Sequence, residues 1–462
     1  MAEKFYDKFN KKSSVAKAKN ERKEFNKERD KFFEQKRNGS KKEKDFKTEK
    51  NNINLEKDSK IISIEKMFLA EKLTKESRSV LENFDNIVQG VRPLNSRQFV
   101  QLPKDIRTLS HQLTDERDTR RMGYMNANEE LSAYVRYFTW WNLVRLTRVF
   151  SNLPQNAFNL NDGDYCLDIG SGTLTVVIAL WLSRPELRNK KITWYCMDLS
   201  SATMALGEDL YLSIAAKAPA KENENDAHWN IIRVKGSIGT AIKNKAKFIT
   251  CANMYNELSQ NSSQKPEEIA DNQIRQLLSY AENDASIFIA EPGMPVSAHF
   301  VSLMRDRFIQ KDFSIVSPCP HYEECPMSGL HARYGGSAKW CNFDFTTENA
   351  PQRLLKLSKD AGIPKDRAVI SFIFAKKTES KNTVNDKSDK KTENFAVRIA
   401  SDSIRIPEKG YGYYACTPKG LALIINNSGK RLESGDKLVL SMPDDFKKLS
   451  RDKKSGAFEI NL

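Results

Sequence analysis

Three of the seven cysteines fall in one irregular stretch. Ser317-Pro-Cys319-Pro-His321-Tyr-Glu-Glu-Cys325-Pro opens it, and Lys339-Trp-Cys341-Asn-Phe343 closes it. Five residues separate Cys319 from Cys325, and fifteen separate Cys325 from Cys341. Thiols gathered in a Pro- and Gly-rich loop do not read as core filling; they read as metal ligands or nucleophiles. Cys166, Cys196 and Cys251 differ, because they sit inside predicted strands, where cysteine serves as a small buried hydrophobe. Cys416 remains as the candidate for a fourth ligand. Four thiolates suit a 4Fe–4S cluster or zinc. The absence of a paired Cys-x-x-Cys favours iron–sulfur. His321 could replace one ligand, though a histidine beside a proline reads more simply as a turn hydrogen-bonder. A rival chemistry makes Cys319 a nucleophile toward a pyrimidine ring. That requires one thiol of lowered pKa and an acidic helper, and it gives no reason for three clustered cysteines.

A second constellation is Asp168-Ile-Gly170-Ser-Gly172-Thr-Leu174-Thr, which leaves a predicted strand and enters a predicted helix. Glycine permits a sharp turn and a close approach of ligand to backbone. Asp168, just before the turn, is placed to hold a ligand's ammonium group, such as the methionine end of S-adenosylmethionine. Asp198 ends the next predicted strand, where a carboxylate accepts from two ribose hydroxyls. Acid-first order favours S-adenosylmethionine over NAD, whose fingerprint begins with glycine. Leu174 occupies the third glycine position, and its bulk would narrow the approach. Asn253-Met-Tyr-Asn-Glu257 follows the fourth strand, but it lacks the Asn/Asp-Pro-Pro-aromatic motif of amino methyltransferases, so no catalytic residue is assigned. Glu291-Pro-Gly293 follows the fifth strand, where the acid either faces the cleft or caps a turn.

The elements that must position these residues follow from periodicity. Helical spacing begins at Ile61 and Ile62 and continues through Met67, Phe68, Leu69 and Leu73, then around Leu109, Leu113 and Arg117. The strongest helix spans about 128–153, with an aromatic-rich stripe that reads as core. Strands and helices then alternate, with strands at Tyr165–Ile169, Ile192–Met197, Ile231–Val234, Phe248–Cys251 and Ile287–Ala290. Two more near Ala368–Phe374 close the sheet. Such alternation implies a mostly parallel sheet with helices on both faces. After a charged linker, short strands at Ala396–Ile399, Ser403–Ile406, Gly412–Cys416, Leu421–Ile425 and Lys437–Leu440 suggest a small OB-like β-barrel. The reading is an α/β chain with these units: a basic tail (1–59), a helical region (60–155), a Rossmann-like domain (156–376) with a cysteine-rich insertion (317–345), a linker (377–394) and a β-barrel (395–462).

The chain has 462 residues and a formal net charge of +15. Residues 1–50 carry 18 Lys+Arg against 10 Asp+Glu. This composition cannot offset ordering entropy, so disorder or transient helicity is expected there. The excess of positive charge favours a polyanionic partner. No apolar run approaches the about 20 residues of a membrane span. With neither a secretory nor a transit pattern at the start, a cytoplasmic protein of bacterial type without disulfides is expected.

Leu-Asp168-Ile-Gly-Ser-Gly, Tyr255-Asn-Glu-Leu, Ala-Glu291-Pro-Gly, Pro-Cys319-Pro-His, Cys325-Pro and Trp340-Cys341 together resemble the mitochondrial small-ribosomal-subunit assembly family of methyltransferase-like proteins and its bacterial homologues, the Rsm-type family. The likeness covers residues 90–445. It implies a class-I methyltransferase fold, S-adenosylmethionine held by Asp168, Gly170, Gly172 and Asp198, and an iron–sulfur cluster held by Cys319, Cys325, Cys341 and Cys416. It also implies attachment to the small ribosomal subunit or its RNA. The alternative is a catalytically silent assembly or RNA-binding factor whose metal cluster is structural.

Overall fold

The structure is a computed structural model describing residues 60–114, 128–220, 228–255, 264–330, 339–377, 394–441 and 449–462. The expected tail 1–59, most of the linker, Arg117 and Asn256-Glu257 lie outside the described residues.

Two sheets organise the chain. The larger contains β2 (Tyr165–Ile169), β3 (Thr193–Asp198), β4 (Asn230–Lys235), β5 (Ala246–Ala252), β6 (Ala281–Glu291), β7 (Phe313–Ser317), β8 (Phe343–Thr346) and β9 (Arg367–Lys377). Its order is β4-β3-β2-β5-β6-β9-β7, with β8 paired to β9. β4 through β6 run parallel, and β9 is antiparallel to both β6 and β7. Helices cover both faces, which is why β2, β3 and β5 are nearly continuous apolar runs. The chain first adds strands on one side of β2 and then crosses to β5 on the other. The crevice outside the carboxyl ends of β2 and β5 is therefore the topological switch point, where open α/β sheets bind ligands.

On one face lie α1 (Lys75–Glu82), α2 (Phe84–Val91), α3 (Ser96–Thr114) and α4 (Asn128–Ala133). A π-helical turn, Tyr134–Thr139, leads from α4 into α5 (Trp140–Asn152). The aromatic stripe is core as expected: Tyr137, Trp140, Trp141 and Phe150 are buried. The indole N–H of Trp140 donates to the Leu81 carbonyl at 2.8 Å, and that of Trp141 donates to Ser358 Oγ at 3.1 Å. Each ring thus buries its apolar body while its polar edge finds a partner.

The smaller sheet contains β10 (Asn394–Ile406), β11 (Gly410–Thr417), β12 (Gly420–Ile425), β13 (Lys437–Ser441) and β14 (Phe458–Asn461). Its order is β1-β13-β10-β11-β12-β14, where β1 is Lys60–Glu65. Three expectations are corrected here. The helical pattern starting at Ile61 is a strand, antiparallel to β13, so the first described residues belong to the C-terminal sheet and not to the helical region. The two strands expected at Ala396–Ile399 and Ser403–Ile406 are one strand, with a register shift between Ile399 and Ser403. The sheet-closing pair near Ala368–Phe374 is β9 with the earlier β7. β14, which runs parallel to β12, was not anticipated. Among the described residues β1 and β14 are the two edges of this sheet and do not pair with each other.

Candidate cofactor cleft and cysteine site

Asp168 lies in β2, opposite Thr250 of β5 in the parallel register. Its Oδ1 accepts from Thr250 Oγ1 at 2.6 Å. Its Oδ2 is buried and has no hydrogen-bond partner among the described residues. Burial, partly offset by the Thr250 hydrogen bond and reinforced by the nearby Asp198 charge, lifts the carboxyl to about 7. An orphaned carboxylate oxygen is costly unless a ligand completes it, and an ammonium group is its chemical complement.

The turn after β2 is held by backbone. Gly170 and Ser171 N–H both donate to the Met197 carbonyl, at 2.8 and 3.0 Å. Gly170 and Gly172 adopt φ of 71° and 50°, the left-handed region that glycine enters freely. Asp198 shapes the turn: its Oδ2 accepts from Gly172 N–H and its Oδ1 from Ser200 N–H, each at 2.9 Å. Thr139, in the π-helical turn, shares a 2.7 Å hydroxyl hydrogen bond with Thr173. The helical region thereby braces the glycine turn.

Leu174 does not narrow the approach. It takes the left-handed conformation itself (φ 54°, ψ 35°) and caps α6 (Thr175–Ser183). Its side chain is fully buried. It packs against Gly207 of α7 (Ser201–Lys217), where an added Cβ would come within 2.8 Å of Leu174 Cδ1. A glycine on the neighbouring helix makes the room, and the leucine turns into the core.

The turn after β5 closes the other side of the crevice. Asn253 has φ 58° and donates its N–H to the Ala290 carbonyl at 2.8 Å. Met254 lies beside Gly170, 3.4 Å from where a Cβ would stand. Glu291 Oε1 accepts from Tyr255 N–H at 2.8 Å, which decides its role as the cap of this turn. The Tyr255 hydroxyl is buried against Cys251 Sγ at 3.7 Å. Thr250 and Thr139 escaped the sequence reading, because only cross-strand register and tertiary packing bring them to Asp168 and the turn.

The cysteines come from three segments: Cys319 and Cys325 follow β7, Cys341 precedes β8, and Cys416 lies in β11. Burial pushes all four thiols up, Cys325 to about 12. Cys319, Cys325 and Cys341 each raise Cys416 further, so the four are electrostatic neighbours. Arg305 of α9 (Pro295–Gln310) opposes this rise at every one of them. α8, for reference, is Pro266–Tyr280. Among the described residues, no group of three or more Cys, His, Asp or Glu side chains is close enough to hold a metal ion. His321 Nε2 lies 3.0 Å from Cys416 Sγ, and burial, with Arg305 adding, lowers its ring to about 4, so the imidazole is neutral. A raised Cys319 thiol is the opposite of a poised nucleophile. Cys166, Cys196 and Cys251 are fully buried in strands, as expected. Among the described residues, no helix is long and apolar enough to cross a membrane.

YjhP from E. coli is similar at 11% identity, with 59% of this chain and 99% of that chain covered and a TM-score of 0.29. The precorrin-6y C5,15-methyltransferase from Geobacter metallireducens is similar at 14% identity, with 48% and 85% covered and a TM-score of 0.26. A methyltransferase from Pyrococcus furiosus is similar at 15% identity, with 35% and 70% covered and a TM-score of 0.22. No curated protein matches the chain. A family model described as mitochondrial small ribosomal subunit Rsm22 matches residues 130–404, a span that includes the glycine turn and three of the four loop and barrel cysteines but stops before Cys416.

Proposed function

The chain belongs to the Rsm22 family, described as mitochondrial small ribosomal subunit Rsm22, and we propose on that premise that it binds S-adenosylmethionine and acts on small-subunit ribosomal RNA or its assembly. The observation that carries the cofactor reading is the orphaned Oδ2 of Asp168 at the switch point. In this reading Asp168 takes the ammonium group and the open face of Gly172 admits the ligand's backbone-hugging portion. Asp198 takes the ribose hydroxyls with the lone pairs left over from its two backbone contacts. The cofactor would supply a methyl group; the chain's own residues bind, orient and exclude water.

The four cysteines supply the donor set of a thiolate-bound metal and influence one another's charge, though no three of them stand close enough to hold an ion. Cys319, Cys325, Cys341 and Cys416 would hold an iron–sulfur cluster, with zinc as the alternative, tying the loop after β7 to β11. The strand order β13-β10-β11-β12-β14 supports an OB-like reading of the smaller sheet, a fold used for oligonucleotide binding. The family's name is mitochondrial, so the cytoplasmic expectation gains no support from it.

A second reading, a catalytically silent assembly or RNA-binding factor, draws on the turn after β5. The Tyr255 hydroxyl is engaged with Cys251, and Glu291 is engaged with the turn backbone. Neither is offered to a substrate. Calorimetry with S-adenosylmethionine tests the binding reading. Radiolabelled methyl transfer to small-subunit RNA from a strain lacking the protein separates the two. Binding without transfer selects the silent factor, and no binding to metal-replete protein defeats the cofactor reading.

A further inference from the structure

Arg305 and Arg398 are nearly fully buried, 3% and 7% exposed, and both contact the loop that carries Cys319. Arg305, on α9, donates Nε–H to Cys319 Sγ at 3.3 Å. Its Nη2 donates to the carbonyls of His321 at 3.0 Å and Glu323 at 2.7 Å, and Nη1 pairs with Asp306 at 2.9 Å. Arg398, on β10, donates Nε–H to the Pro318 carbonyl at 2.8 Å and Nη1 to the Gly435 carbonyl at 2.7 Å. Among the described residues no carboxylate lies within ion-pair distance of Arg398. A guanidinium buried against neutral carbonyls is costly unless negative charge stands nearby.

Asp306 supplies part of that charge to Arg305, and Glu65 and Asp436 supply part of it to Arg398; the thiols add to it only as thiolates. Four thiolates around a dipositive core, whether zinc or an oxidised four-iron cluster, leave two negative charges in excess. The two buried guanidiniums offset part of that excess, Arg305 sharing its charge with Asp306 and Arg398 with Glu65 and Asp436. One comes from the Rossmann-like domain and one from the smaller sheet, so the charge balance also spans the junction of the two.

We propose that Arg305 and Arg398 are positioning residues of the four-cysteine site, providing its resident counter-charge and holding the loop 318–323 in ligating conformation. The proposal rests on the metal reading given above and adds to it a requirement for two specific cations. It gives each arginine a separable role. Arg305 grips the loop at three points besides its charge, whereas Arg398 touches the loop only at Pro318 and acts chiefly through its field.

The test uses the full chain purified anaerobically from iron-replete cells, as wild type, Arg398→Gln, Arg398→Lys and Arg305→Gln. Iron and zinc per chain are measured together with the visible spectrum, the midpoint potential by redox titration, and the rate of metal loss to a chelator. Circular dichroism confirms folding. Arg398→Gln is expected to shift the midpoint potential to more negative values, because reduction adds an electron where a cation has been removed. It should also release metal at least about tenfold faster, a change corresponding to about 1.4 kcal/mol. Arg398→Lys restores the charge and should recover most of both effects. Arg305→Gln should lose metal outright or fastest of all. If the site loads zinc, the chelator rate alone carries the comparison. Folded Arg398→Gln with wild-type potential and wild-type metal retention overturns the proposal, and so does Arg398→Lys that behaves like Arg398→Gln. Wild type that binds no metal removes the four-cysteine reading itself, and the proposal with it, which is a different result from equal loading in all variants.

Discussion

With Asp168 holding the ligand's ammonium group as proposed, cofactor affinity depends on pH in a calculable way. In the free protein its carboxyl titrates at about 7, mainly because it is buried. An ammonium ligand needs the carboxylate, so below that value a proton must leave before the ion pair forms. Affinity therefore falls as pH falls through 7. The ligand's own amino group titrates near about 7.7–8.0, so affinity also falls above that range. The profile is a bell with its maximum between. At pH 6 about a tenth of Asp168 is ionised, and at pH 7.4 about seven tenths, while the ligand amine drops from fully charged to about three quarters. The product predicts binding about sixfold tighter at pH 7.4 than at pH 6, or about 1 kcal/mol. Calorimetry in two buffers of different ionisation enthalpy gives both the affinity and the proton release at pH 6.5. Asp168→Asn should weaken binding at pH 7.4 and abolish the acid limb. It should also raise the melting temperature of the ligand-free protein at pH 8. The carboxyl's folded-state value lies above its unfolded value, so its contribution to stability is present at acid pH and lost as pH rises through 7. A flat affinity between pH 5.5 and 7.4, or an acid limb that survives Asp168→Asn, would refute the reasoning.

Other outcomes follow from the same structure. Leu174→Ala should destabilise the fold by about 2–4 kcal/mol in urea denaturation, since it empties a fully buried site against Gly207. Leu174→Gly should cost no more than this despite the greater truncation, because it relieves the left-handed strain of about 1–2 kcal/mol. Asp198→Ala should weaken S-adenosylmethionine by about 1.5–3 kcal/mol through lost charge-assisted hydrogen bonds, and binding unchanged in calorimetry would mean that the pocket lies elsewhere. Association with small-subunit particles on gradients should fall steeply with salt. Removing residues 1–59 should flatten that dependence while leaving preference for the small subunit, and loss of preference instead would place target choice in the tail. Removing residues 1–65 should in addition lower thermal stability, because β1 pairs along β13.

Local pattern determined a good deal of this protein. The alternation from Tyr165 to Ala290 announced a parallel sheet because strands buried on both faces must be apolar throughout, and that constraint is written residue by residue. The glycine turn was legible because only glycine enters the left-handed region cheaply, and the aromatic helix was legible because its period matches a buried stripe. Tertiary structure decided the rest. Ile61 and Ile62 read as the start of a helix, and pairing with β13, where Ile61 meets Leu440, made them strand. Leu174 stood where glycine was expected, and whether it blocked the cleft depended on Gly207, which no local pattern connects to it. Asp168 announced itself as a carboxylate, but its raised pKa came from burial and the nearby Asp198, with the Thr250 hydrogen bond opposing them, all set by strand register. The two arginines at the cysteine site carried no sequence signal at all. Charge partners separated by dozens of residues meet only when the chain folds, since the Coulomb field depends on distance in space and on the dielectric that burial creates.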